Sequence, residues 1–262
     1  MRIIASDEIE SALSYPELIE TLLRAYRSQT VTPAAASFDI ARSEGGTGVL
    51  HAAPAWSNFL AQGHAERGYI GCSLSLTLPD AGTSSETGAP SGSALYALMS
   101  GTTGHPIALL DGTRLNAWRK CAQHALAVRY LSREDTGRLL VLGDTPLLPR
   151  LLAAYSSVRD IRSVLLLQGA EAKLPELRSQ AAFKHITFGE TDDFCGAVQG
   201  ADMICVASGG AGQLAGFDLT PGVHIDIFQT HNPIAAGQFP EVRIFVCDRE
   251  KPEYRAEPDI AA

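Results

Sequence analysis

From residue 139 onward, short runs of large apolar residues return at nearly regular intervals, and this spacing limits the possible folds more than any other feature. The runs are Leu139–Leu142, Val164–Leu167, His185–Phe188, Met203–Ala207, Val223–Ile227 and Ile244–Cys247. Helical or loop segments separate them. Short strands alternating with helices make βαβ crossovers, and these assemble into a parallel sheet. Strands of such a sheet are covered on both faces, which explains an unbroken run such as Val164-Leu165-Leu166-Leu167. The second half of the chain is therefore expected to be an α/β, Rossmann-like, doubly wound parallel sheet.

The first half has a different texture. Ser14-Tyr15-Pro16-Glu17 predicts a capping box at a helix start, with Leu18, Leu22 and Tyr26, flanked by Ile19 and Leu23, forming the buried stripe. Extended segments are predicted around 38–41, 48–52, 69–78, 94–99 and 107–110. Between residues 71 and 78, Cys72, Leu74, Leu76 and Leu78 alternate with Ser73, Ser75 and Thr77, the pattern of a sheet with one wet face. Ser100 to Gly104 predicts a turn, and Pro79 to Gly92 a mobile loop rich in Gly, Ser and Thr. A long helix over 113–131 should join the halves, placing Ala122, Leu126 and Tyr130 on one face. The expected organisation is an α+β region over 1–115, the Rossmann-like domain over 116–250 and a charged tail over 251–262.

Composition excludes several functions. With 45% hydrophobic and 19% charged residues the chain is not disordered. A net charge of −8 and the lack of a long basic run argue against nucleic acid. The five cysteines are odd in number and lack metal-ligand spacing, so reduced, buried thiols are expected and no metal. The N-terminus does not read as a signal peptide, and no apolar run reaches membrane-spanning length. A cytoplasmic protein without a membrane partner is expected.

The turn after the first parallel strand carries the chemistry in dinucleotide-binding domains. It needs glycines, free N–H groups and the positive end of a helix. Here it reads Gly143-Asp144-Thr145-Pro146. Thr145 stands where a second glycine would, Asp144 adds negative charge, and Pro146 and Pro149 each remove a donor. One reading is a remodelled cofactor site. The plainer one is a capped strand-to-helix turn, with Thr145 as N-cap and Pro146 at the first helical position. After the second strand, Glu171 is a displaced candidate for a ribose-binding acid.

Three stretches together resemble the ornithine cyclodeaminase/mu-crystallin family. They are Gly104 to Arg119 (GHPIALLDGTRLNAWR), Leu139 to Gly143 with Gly200 to Ser208 (GADMICVAS), and Thr220 to Asp226 (TPGVHID). The resemblance implies a two-domain homodimer with an N-terminal substrate and dimerisation domain. It also implies a Rossmann domain holding NAD or NADP, and hydride transfer on a small amino or imino acid, in some members with ammonia loss and ring closure.

Residue by residue, the resemblance makes Arg119 the grip for a substrate carboxylate, a task suited to a guanidinium fork. The family's sheet lysine falls at Ser73, or at Cys72, and a second arginine expected near Thr32 to Ala36 is absent. The catalytic aspartate falls near His231, which could exchange protons in its place. The cofactor is implied to lie against Gly143, Asp144, Thr145 and Ser208. The match fades near Cys247 to Glu250, so the segment that returns to the N-terminal domain is expected to be missing or supplied by a partner. These coincident changes favour a family relative that binds a small amino or imino acid with its hydride chemistry lost or altered. The alternatives are an active NAD(P)-dependent enzyme using Arg119 and His231, or cofactor-free chemistry at His51, His224, His231 or Cys72.

Overall fold

The structure is a computed structural model. It describes residues 1–28, 30–43, 46–60, 68–78, 92–208, 214, 216–217, 219–228, 243 and 245. The chain forms two compact units, one of Met1–Ala127 with Pro149–Val158, the other of Val128–Leu148 with Arg159 onward.

The first unit begins with β1 (Arg2–Ile4), α1 (Ser6–Ala12) and α2 (Tyr15–Arg27). Strands β2 (Thr30–Val31), β3 (Ala36–Ile40), β4 (Gly48–Ser57), β5 (Tyr69–Thr77), β6 (Gly92–Ser100) and β7 (Pro106–Asp111) follow, and then the helix α3 (Gly112–Leu131). The sheet runs β1-β7-β6-β5-β4-β2, with β3 also on β4. β1 is parallel to β7, and the other pairs are antiparallel.

The alternation along β5 predicts one wet face, yet both faces are partly open. Among the described sheet residues only Gly48, Gly71 and Ala108 are buried. Among the described residues most positions of this sheet are only half-buried or exposed. The unit's core lies instead among its helices, at Ile9, Tyr15, Ile19, Trp118, Cys121 and Ala122. Tyr26, expected on the buried stripe of α2, is exposed, and so is Tyr130.

A charged knot ties this helical core together. Trp118 donates from Nε1 to Glu10 at 3.3 Å, and Arg150 reaches the same carboxylate with both terminal nitrogens. Arg114 Nε lies 3.2 Å from Glu10 Oε1, and the Arg150 guanidinium stacks 5.6 Å from the Trp118 ring centre. Partial burial pushes the Glu10 carboxyl up, but Arg150 and Arg114 outweigh it and hold the group below its usual range.

Ser14 does precede α2, but its hydroxyl donates to the Glu17 carboxylate at 2.9 Å and makes no bond to the helix backbone. The capping box is therefore not formed. The reaching-back interaction occurs at α1 instead, where the Ala5 N–H donates to Glu8 Oε2 at 3.3 Å.

The second unit holds β8 (Arg138–Leu142), β9 (Ser163–Leu167), β10 (Thr187–Gly189), β11 (Met203–Val206) and β12 (His224–Ile227), with helices between them. Every pair is parallel, in the order β10-β9-β8-β11-β12. The predicted run His185–Phe188 overlaps β10 only at Thr187 and Phe188, and the strand continues to Gly189. The Ile244–Cys247 run, the Pro79–Gly92 loop and the 251–262 tail lie outside the described residues, Gly92 and Phe245 apart. Leu140, Leu142, Val198, Ile204 and Val206 form a fully enclosed apolar cluster, as strands covered on both faces require.

Two polar locks hold this unit. Asp202 accepts from the N–H groups of Gly137 and Arg138 and from the guanidiniums of Arg138 and Arg133. Arg159 caps the end of α3 by donating to the carbonyls of Val128, Arg129, Ser132 and Arg133. Val128 and Arg133 also accept the N–H groups of Ser132 and Thr136, so Arg159 adds to the bonds at the helix end and the turn after it. Among the described cysteines none is bonded to another, and Cys195 is exposed, contrary to the expectation that all are buried.

Candidate functional site

In an open parallel sheet, ligands bind at the carboxyl ends of the strands, where the strand order reverses. Here the reversal lies between β8 and β11, so the turns after Leu142 and Val206 mark the place. Gly143 follows β8 with φ of 81°, and Ser208 lies just past β11. The two meet. A Cβ at Gly143 would overlap the Ser208 carbonyl and hydroxyl oxygens and come within 2.9 Å of its nitrogen. The bare face of this glycine, which would let a pyrophosphate approach, is occupied by the chain's own Ser208.

The rest of the turn is equally self-contained. The Gly143 N–H donates to the Leu167 carbonyl at 3.0 Å. Thr145 is buried; its carbonyl takes the Leu148 N–H at 3.1 Å and its hydroxyl the Leu147 N–H at 3.4 Å. Pro146 and Pro149 have no N–H. Among the described residues from 143 to 149, only Asp144 and Thr145 keep unengaged N–H groups, and the exposed Asp144 carboxylate stands beside them. The helix α4 (Leu148–Ser156) begins only after this turn. Pro146 thus lies in the turn, not at the first helical position, because the Thr145–Leu148 bond closes a tighter loop first. Leu147, Leu148, Leu151 and Leu152 are all buried, so the helix keeps its packing role.

After β9, Gln168 and Gly169 both take positive φ, 59° and 98°. The Glu171 carboxylate folds back to accept the Gly169 N–H at 2.8 Å. An acid placed to hold a ribose would face outward; this one stabilises its own turn. With Ser208 over the glycine, two prolines without donors and the Asp144 carboxylate beside the two N–H groups that are left, these residues do not fit the pyrophosphate of NAD or NADP.

In the first unit, Arg119 lies on the exposed side of α3, and its guanidinium donates to Gln123 at 3.1 Å. Its other donors have no partner among the described residues, which leaves a fork able to hold a carboxylate. The start of α3 is fixed to β6: the Ala94 N–H donates to Thr113 Oγ1 at 3.0 Å, and a Cβ on Gly112 would strike the Ala94 backbone. Asp111 Oδ1 caps the helix through the Arg114 N–H.

Ser73 sits at the centre of β5, opposite Ala53 on β4 and Tyr96 on β6. Tyr96 escaped the sequence reading. Its hydroxyl lies over Gly71, where a Cβ would overlap it. A glycine inside an alternating strand signals such a close approach and could have revealed it. Burial pushes the Tyr96 phenol up, with a smaller push from the Cys72 thiol.

His51 accepts or donates at Nδ1 to Ser37 Oγ at 2.8 Å on an exposed strand. On β12, Asp226 is buried and His224 half-buried. His231 lies outside the described residues. Among the described residues no cluster could hold a metal ion, and no helix is long and apolar enough to cross a membrane.

An all-parallel sheet reversing at its first strand, attached to an antiparallel α+β unit, defines a two-unit protein built on the Rossmann-type nucleotide-binding fold. Residues 5–237 match the ornithine cyclodeaminase/mu-crystallin family model, and the chain belongs to that family.

Among curated relatives, a Delta(1)-pyrroline-2-carboxylate reductase of Colwellia psychrerythraea is 28% identical over 88% of this chain and 71% of its own length. The protein SAR DEFICIENT 4 of Arabidopsis thaliana is 25% identical over 86% and 68% respectively. Two solved structures share the fold. Delta(1)-pyrroline-2-carboxylate reductase of Thermococcus litoralis, in complex with NADH and L-proline, has a TM-score of 0.60 at 22% identity, covering 79% of this chain and 61% of that one. The iminosuccinate reductase of Paracoccus denitrificans, in complex with NAD+, has a TM-score of 0.63 at 17% identity over 79% and 62%. The chain thus spans about six-tenths of the length of these solved chains.

Proposed function

We propose that this protein binds a small amino or imino acid and has lost the NAD(P)-dependent hydride transfer of its family. The turn after β8 carries this reading. Ser208 fills the glycine face, Thr145 takes two of the donors, and two prolines lack theirs. A helix end contributes only about 0.3–1 kcal/mol to an exposed anion, which the Asp144 carboxylate offsets. Arg119 holds the ligand carboxylate, and Ser73 lies on the ligand-facing side of the sheet.

The protein acts as a homodimer. The bare sheet of the first unit, with Phe38 and Leu95 exposed, needs a cover, and a second copy supplies one.

The test uses the full chain. NADH and NADPH are titrated by fluorescence, and L-proline binding is followed calorimetrically in the wild type and in Arg119→Met. No saturable dinucleotide binding is expected, together with L-proline binding that Arg119→Met removes. Saturable micromolar NADH or NADPH binding would favour the other reading, an active oxidoreductase or cyclodeaminase in which Arg119 holds the carboxylate and His231 exchanges the proton.

A further inference from the structure

The ligand reading assigns a carboxylate to Arg119 but leaves the nitrogen of an amino or imino acid without a partner. On that reading, we propose that Tyr96 and Ser73 together recognise this nitrogen, as a pair of neutral hydroxyls that accept its N–H protons.

The two residues lie directly opposite each other across β5 and β6, so their side chains rise from the same face. Gly71, two positions before Ser73, shares that face. The Tyr96 hydroxyl reaches over Gly71, and the missing Cβ is what admits it. The half-buried ring is therefore set across β5 over Gly71, on the face that Ser73 shares, and its hydroxyl has no hydrogen-bond partner among the described residues. The Ser73 hydroxyl likewise has none. Two hydroxyls without a protein partner on one face of the sheet offer a recognition surface. A ligand nitrogen that donates to them takes the place of the water that otherwise does so.

The position relative to Arg119 is set by the start of α3. Gly112 and Thr113 are fixed against Ala94 and Leu95, the residues just before Tyr96. Arg119 lies seven residues further along, about 10 Å up the helix axis. A carboxylate grip and a nitrogen-reading pair are thus built from adjoining elements of one unit.

The chemistry follows from the donor inventory. A hydroxyl both donates and accepts, whereas an ammonium only donates and repels another cation. Burial keeps the phenol protonated and neutral through the physiological range. The pair therefore suits a protonated nitrogen, as in a zwitterionic amino acid.

The test compares L-proline with cyclopentanecarboxylate, in which a methylene replaces the ring nitrogen, by calorimetry on the full chain. Wild type should prefer L-proline. Tyr96→Phe and Ser73→Ala should each weaken L-proline by about 5- to 10-fold, the loss of roughly one hydrogen bond. Both should leave cyclopentanecarboxylate within about twofold, since the carboxylate contact is untouched. Equal weakening of both ligands would give Tyr96 and Ser73 a merely structural role and overturn the assignment. Binding lost in Arg119→Met but unchanged in both hydroxyl variants would overturn it alone and leave the amino-acid reading standing. Wild type that binds neither ligand overturns both.

Discussion

Replacing Asp202 by Asn tests the lock at the start of β8. The carboxylate is 6% exposed. Burial alone pushes its pKa up, but the Arg138 guanidinium and the N–H groups of Gly137 and Arg138 outweigh this and bring it from 3.8 to about 2. A depression of this size corresponds to about 2.4 kcal/mol of stability at neutral pH. Arg138 is 60% exposed, so solvent screens part of that, leaving roughly 1–2 kcal/mol from the charge itself. The neutral amide also turns an NH2 group toward donors that need an acceptor, so the full cost is about 2–3 kcal/mol.

Because the folded pKa is depressed, the contribution is complete above the unfolded value near 4. It is lost as pH falls from about 5 toward 2. Urea unfolding at pH 7 and pH 3 measures both effects. The variant should have a lower midpoint at pH 7 and a smaller further loss on acidification than wild type. Equal midpoints at pH 7, or an equal loss on acidification, would refute the reasoning.

Arg159→Ala should cost about 1–2 kcal/mol in thermal or urea unfolding, since the carbonyls of Arg129 and Ser132 lose its guanidinium while those of Val128 and Arg133 keep the N–H groups of Ser132 and Thr136. Arg159→Lys should recover less than half, because one ammonium cannot span them. Gly143→Ala should destabilise by at least about 2 kcal/mol, from positive φ and overlap with Ser208 together, and a neutral melting temperature would contradict the contact. Asp144→Gly should leave NADH fluorescence unchanged, because the donors held by Thr145 and missing at Pro146 and Pro149 are not restored.

Much of the second unit was legible in the residue order. β8, β9 and β11 fall on the predicted apolar runs because strands covered on both faces must be largely apolar, and the edge strand β12 falls on its run although His224 and Asp226 interrupt it. The long helix was equally readable from its lack of internal breakers, although it starts at Gly112. The two prolines after Gly143 also spoke directly, since a missing N–H is a covalent fact.

What tertiary structure alone decided are pairings between residues far apart in the chain. Ser208 filling the face of Gly143 joins positions 65 apart, and Arg150 meets Glu10 across 140. Neither distance leaves a local periodic trace. The alternation on β5 showed which residues share a face, but not that both faces would stay open, since burial depends on what else the fold brings to the sheet. Tyr96 was hidden for the same reason. Its role arises from a gap opened by Gly71 on the neighbouring strand, and strand register, not composition, brings them together.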